Sequence, residues 1–167
     1  FLLLFALPRV GFLRRALPAR PSAGEKADGP RVSARPIRPV ELAVALGRKG
    51  QRVLLVDLDP QANATSALGV DGKDVAGTYD AILDGMPMAD CVVAVEAECI
   101  SVVPSSAELS GAEVELVPVM ARERRLTAAL DQVRDSYDWI LIDCPPSLGL
   151  LTINALVAAT HLLIPIQ

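Results

Sequence analysis

Arg52-Val-Leu-Leu-Val-Asp-Leu-Asp-Pro-Gln61 is the stretch that decides the fold. Val53 to Val56 is an unbroken apolar run bounded by Arg52 and Asp57, the pattern of a parallel strand buried on both faces. Just upstream, Val40-Glu-Leu-Ala-Val-Ala-Leu46 is a good helix former, and Gly47-Arg-Lys-Gly50 supplies the basic residues and glycine of a helix stop. A helix joined tightly to a buried strand is half of a βαβ unit.

The alternation continues downstream. The sequence predicts a short helix at residues 79–83, a strand at 100–103, and helical stretches at 108–116 and 122–134, which Pro118 separates. A second apolar strand at 139–143 again ends in aspartate, followed by a Pro-Pro turn, a helix at 151–159 and a last strand at 162–165. Strands alternating with helices specify an α/β fold, a parallel sheet with helices on both faces. No internal repeat is present.

The bulk composition agrees with this. A chain of 167 residues, 51% hydrophobic and only 4% aromatic, is long enough for one α/β domain with a real core. A net charge of −4 and a pI near 5.0 argue against a protein that coats nucleic acid with its whole surface, and leave room for a local basic patch. Cys91, Cys99 and Cys144 follow no metal-ligand spacing, so ordinary buried thiols in a reducing compartment are expected. The opening Phe-Leu-Leu-Leu-Phe-Ala-Leu run is stopped by Pro8 and Arg9, far short of the ~20 residues of a membrane helix. It has no preceding basic region and no initiator Met, so it reads as a fragment or mistranslated end sooner than a secretory signal. Residues 14–39 are rich in Pro and Arg without apolar periodicity. The expected division is an irregular or mistranslated segment at 1–39 and an α/β domain at 40–167.

Ligands of open parallel sheets bind beyond the carboxyl ends of the strands. Asp57 and Asp59 end one strand in Val-Asp-Leu-Asp-Pro-Gln, and Asp143 ends another in Ile-Leu-Ile-Asp-Cys-Pro-Pro. One such strand end is ordinarily a solvated turn. Two in one sheet point to a magnesium and phosphate site, with carboxylates holding the hydrated ion directly or through water and one positioning an attacking water.

Residues 52–69 resemble the second signature segment of the ParA/Soj-type partitioning ATPases, deviant P-loop NTPases of the MinD/ParA superfamily. Ser110-Gly-Ala-Glu-Val-Glu-Leu116 resembles the family's middle helix, and residues 137–156 its Walker B strand and following switch. The resemblance covers residues 40–167. It implies a P-loop NTPase fold that binds ATP and magnesium, with Asp59 acting on the hydrolytic water, Asp57 beside the magnesium and Asp143 as the Walker B aspartate. Asp57 and Asp143 would meet the metal directly or through water, Pro60, Gln61 and Pro145 would line the nucleotide site, and residues 147–154 would form a second nucleotide-sensing segment. It further implies a homodimer in the ATP state, non-specific DNA binding, discharge by a ParB-type centromere-binding protein, and a cytoplasmic, nucleoid-associated bacterial protein that moves chromosomes or plasmids.

The resemblance fails at one place. Before the corresponding helix the family carries a strand and a Lys-Gly-Gly-Val-Gly-Lys-Thr loop, whose amides and lysines cradle phosphates. Here the residues are Gly29-Pro-Arg-Val-Ser-Ala-Arg-Pro-Ile-Arg-Pro39. Proline removes amide donors, β-carbons block the approach that glycine permits, and neither lysine is present. The chain also stops where the family continues through strands and helices that complete the sheet, contact the base and bind DNA. Two rival readings follow: a non-catalytic or regulatory remnant, and a MinD-like membrane-surface ATPase that a C-terminal amphipathic helix would mark. The segments quoted above favour ParA/Soj over MinD. A dehydrogenase reading is weaker still, because no Gly-x-Gly-x-x-Gly follows a strand.

Smaller signals have plainer explanations. His161 reads as a strand-edge residue, Arg122-Glu-Arg-Arg125 as a solvated helix face interleaved with glutamates, and Met86, Met88 and Met120 as core filler.

The genetic code offers a reason for the missing loop. Val32-Ser-Ala-Arg-Pro36 is encodable so that reading one base earlier spells Gly-Val-Gly-Lys-Thr. The hypothesis is a frame error before Val40. Sequencing codons 28 to 42 checks it: the expected result is a one-base shift that restores the loop, and codons that spell it in no frame would sink the idea.

Overall fold

The computed structural model describes the backbone of residues 2–6 and residues 38–163 in full. The elements are β1 (Leu2–Ala6), α1 (Pro39–Gly47), β2 (Val53–Asp57), α2 (Asn63–Ala67), β3 (Val93–Val95), β4 (Ile100–Val103), α3 (Leu109–Glu115), α4 (Arg125–Leu130), β5 (Trp139–Cys144), α5 (Leu150–Ala158) and β6 (His161–Leu163). They form one sheet in the order β3-β4-β2-β5-β1-β6. Its centre, β4-β2-β5, is parallel.

Every residue of β2 is buried, because the strand has protein on both faces. Leu54 and Val56 enter a core shared with Leu109, Leu116, Leu126 and Leu130 on one side. Val53 and Leu55 enter a second, with Ala43 and Ala64, on the other. This period-two division is the physical content of the apolar run Val53–Val56. Helix α1 returns tightly into β2, so its N-terminus lies at the end of the sheet where β2 and β5 finish. Gly47 makes that return possible: a β-carbon there would lie 2.6 Å from the Cys99 carbonyl oxygen.

The sheet is mixed, not wholly parallel as expected. β3 pairs antiparallel with β4, and β1 runs antiparallel between β5 and β6. Residues 2–6 belong to the segment expected to be irregular; a short uncharged run meets the demand for backbone partners between two strands in either direction. The remaining expectations for residues 7–37, including the replaced phosphate loop, lie outside the described residues, as does the expected end of the last strand.

Several local expectations change. The helix expected at 79–83 is a π-turn at Asp80–Asp84. The 122–134 stretch is broken into a 3₁₀ turn, the short α4 and a second 3₁₀ turn. Met88 is core, whereas Met120 is 92% exposed, since it follows Pro118 in a loop. Cys91 and Cys144 are buried but Cys99 is exposed, at a left-handed turn with φ 57°. Arg125 is not a solvated charge: its guanidinium donates to the Ile82 and Leu83 carbonyls at 2.7 and 3.0 Å, pinning the π-turn.

Candidate functional site

The parallel register of β2 and β5 pairs Asp57 with Asp143, and paired positions project to the same face of a sheet. The pairing extends one residue further, with the Leu58 amide donating to the Asp143 carbonyl at 2.8 Å. Asp57, Asp59 and Asp143 are all buried. The three sequence-predicted carboxylates are therefore brought to one end of the sheet.

Their bonding differs. Asp57 Oδ1 accepts the Asp59 amide at 3.1 Å, and Oδ2 accepts both the amide and the hydroxyl of Thr65, at 2.8 and 2.7 Å. Asp59 Oδ1 accepts the Gln61 amide at 3.0 Å, closing an Asx turn around Pro60 that Ala62 leaves with φ 52°. Asp143 Oδ1 is buried with no hydrogen-bond partner. Burial, and then the charges of Asp57 and Asp59, push the Asp143 carboxyl up to about 7. Burial also raises Asp57, opposed by the Thr65 and Asp59 hydrogen bonds. Cys144, buried beside these carboxylates, is pushed up to about 12 and stays a thiol.

Pro145 is buried behind Asp143, Pro60 is half-buried and Gln61 is exposed. The segment 147–154 divides in two. Its first half, Ser147 and Leu148, is exposed and tied down where Thr152 donates to the Ser147 carbonyl at 2.6 Å. Its far end, Asn154, points elsewhere: Nδ2 donates to Arg122 and Leu150 carbonyls and Oδ1 accepts the Leu126 amide, locking α5 to the start of α4. Gly149 caps α5, with the Glu113 carboxylate of α3 packed where a side chain would be.

Sequence reasoning missed Thr65, Thr78 and Ser105. All three are buried hydroxyls that bond the backbone or side chain of the aspartate loop. The available signal was weak: small hydroxyl residues beside strand ends.

Comparison with known proteins now bears on this geometry. A family described as an AAA domain matches residues 34–167. The chain is 51% identical over 129 residues to the sporulation initiation inhibitor protein Soj of Bacillus subtilis, covering 77% of this chain and 51% of that protein. It is 49% identical over 129 residues to the chromosome partitioning protein ParA of Myxococcus xanthus, covering 77% of this chain and 46% of that one. The chain belongs to the ParA/Soj-type AAA-domain family. Among solved structures, the cobyrinic acid a,c-diamide synthase of Mycobacterium smegmatis with bound ATP analogue and magnesium superposes with a TM-score of 0.67 at 38% identity, over 72% of this chain and 49% of that one. This ParA/Soj-type chain thus spans about half the length of the curated relatives it matches.

The residues present fit magnesium only in part. Asp143 Oδ1 is an orphaned, buried oxygen of the kind that a hydrated magnesium or its water satisfies. Among the described residues no three His, Cys, Asp or Glu side chains converge to hold a metal, so the ion would keep several waters. The phosphate side does not fit, because residues 30–46 contain neither glycine nor lysine. No helix among the described residues is long and apolar enough to cross a membrane.

The raised Asp143 carboxyl sets a pH dependence. The folded chain holds this proton up to about pH 7, whereas the unfolded chain releases it near 4, so folding takes up a proton between those values. Stability therefore falls as pH rises through this window, by at most about 1.4 kcal/mol per pH unit. Urea unfolding from pH 4.5 to 8 should show that decline, and Asp143→Asn should remove most of it. An unchanged slope in the variant would contradict the assignment.

Proposed function

We propose that this chain carries the nucleotide-sensing half of an ATP-dependent partitioning ATPase, with the phosphate-binding half disabled as the sequence stands. The observation that carries the reading is the bare, buried Asp143 Oδ1, paired across two parallel strands with Asp57. In this reading Asp143 and Asp57 hold magnesium directly or through water, and Asp59 orients the water that attacks the terminal phosphate. Pro60, Gln61 and Pro145 shape the surrounding walls. Magnesium would neutralise phosphate charge.

The wider activity is carried from the relatives as part of the same proposal. An intact form would dimerise around ATP, bind DNA without sequence preference, associate with the nucleoid of a bacterial cytoplasm and be discharged by a ParB-type partner. The second reading, a non-catalytic regulatory remnant, is favoured for this chain by the missing glycines and lysines of residues 30–46. Each charge-assisted hydrogen bond contributes about 1.5–3 kcal/mol, so removing several weakens nucleotide binding by orders of magnitude.

Calorimetry of ATP with magnesium separates these readings. The chain as it stands should show no binding, and the chain with residues 30–39 replaced by the frame-restored loop should bind. Binding by the unaltered chain would overturn the disabled-site reading, and no binding by either would overturn the placement of the site in this half alone.

A further inference from the structure

A carboxylate offers about four lone-pair positions. In Asp57 three are filled by protein donors, the Asp59 amide and the amide and hydroxyl of Thr65, and the residue is completely buried. One position remains, on Oδ1, so Asp57 offers at most a single further contact. Asp57 is thus spent mainly on its own loop.

Thr65 is the next link. Its hydroxyl donates to Asp57 and at the same time accepts the Ser105 amide at 2.9 Å. Ser105, just past the end of β4, then donates its own hydroxyl to the Asp59 carbonyl at 2.7 Å. The path closes on itself: Asp57 to Thr65, Thr65 to Ser105, Ser105 to Asp59, and Asp59 back to Asp57. Both polar groups of the Asp59 backbone are held by this ring, which Ala62 reinforces by donating to the same carbonyl at 2.8 Å. Both hydroxyl residues are 1% exposed, so water does not compete for these bonds.

We propose that Thr65 and Ser105 are positioning residues for Asp59, forming with Asp57 a buried latch that fixes the loop 58–65. The role of Asp59 itself rests on the reading above, but the latch is testable without nucleotide. Of Asp59 only the second carboxylate oxygen is left to act outward, because its backbone is fixed on both sides and Oδ1 accepts the Gln61 amide. The latch also ties the loop to β4, so that displacement of the 104–108 segment, which leads into α3, is transmitted to Asp59. Thr78 adds a second tie, donating to the Asp57 and Pro104 carbonyls at 2.7 and 3.2 Å.

Amide hydrogen exchange on the full chain tests this, with Thr65→Val, Thr65→Ser and Ser105→Ala compared against the unaltered protein. Removing either hydroxyl should speed exchange of amides 58–66 by about tenfold or more. Exchange in β5 should change less than threefold, and Thr65→Ser should restore protection because it keeps the hydroxyl. If Thr65→Val fails to fold, Ser105→Ala decides alone, since it removes one bond and leaves the Ser105 amide in place. Unchanged exchange at 58–66 in Ser105→Ala overturns the latch, as does acceleration spread evenly over loop and strands. Because no ligand is added, these outcomes are independent of whether the chain binds ATP.

Discussion

The in-register parallel pairing of β2 with β5 is the constraint on which the site depends. It places Asp57 opposite Asp143 at the buried ends of the two strands. Two carboxylates in so little water are strongly unfavourable unless one is hydrogen-bonded and the other is neutralised. The molecule uses both solutions: three donors converge on Asp57, and Asp143 keeps its proton to near neutrality. The asymmetry gives the two residues different capacities. One builds a loop, and the other is left with a buried oxygen that has no hydrogen-bond partner.

The same division of labour extends to the elements around the two carboxylates. The loop 58–65 is held by Asp57, Thr65 and Ser105, and α5 is held by Asn154 and Thr152. Neither set of bonds uses a residue before Arg38. The loop 58–65 and the start of α5 thus carry bonds supplied by the described residues.

Much of this was legible in the sequence because it follows from strong patterns. An apolar run of strand length that ends in Asp reports both a doubly buried strand and the direction of its side chain toward the ligand end. The gathering of Asp57, Asp59 and Asp143 at one end of the sheet was expected on that basis, and the Gly47-Arg-Lys-Gly50 stop from glycine and charge. The antiparallel course of β1 was not legible, since a five-residue apolar run carries no information about strand direction. β3 was hidden because Val93-Ala-Val95 is only three residues long and half exposed. Thr65 and Ser105 were missed for a different reason: a hydroxyl's importance lies in which atoms surround it, and those atoms come from residues 40 and 46 positions away in sequence. Met120 misled because a long apolar side chain was read as core without regard to the Pro118 break before it.

The central claim is that Asp143, and not Asp57, is the open carboxylate of the pair. Carbon-13 NMR of the aspartate side-chain carboxyls tests it directly, with the Asp143 signal assigned by its loss in Asp143→Asn. The account predicts that this signal titrates at about 7; titration near 4, the ordinary range of an exposed aspartate, would contradict it.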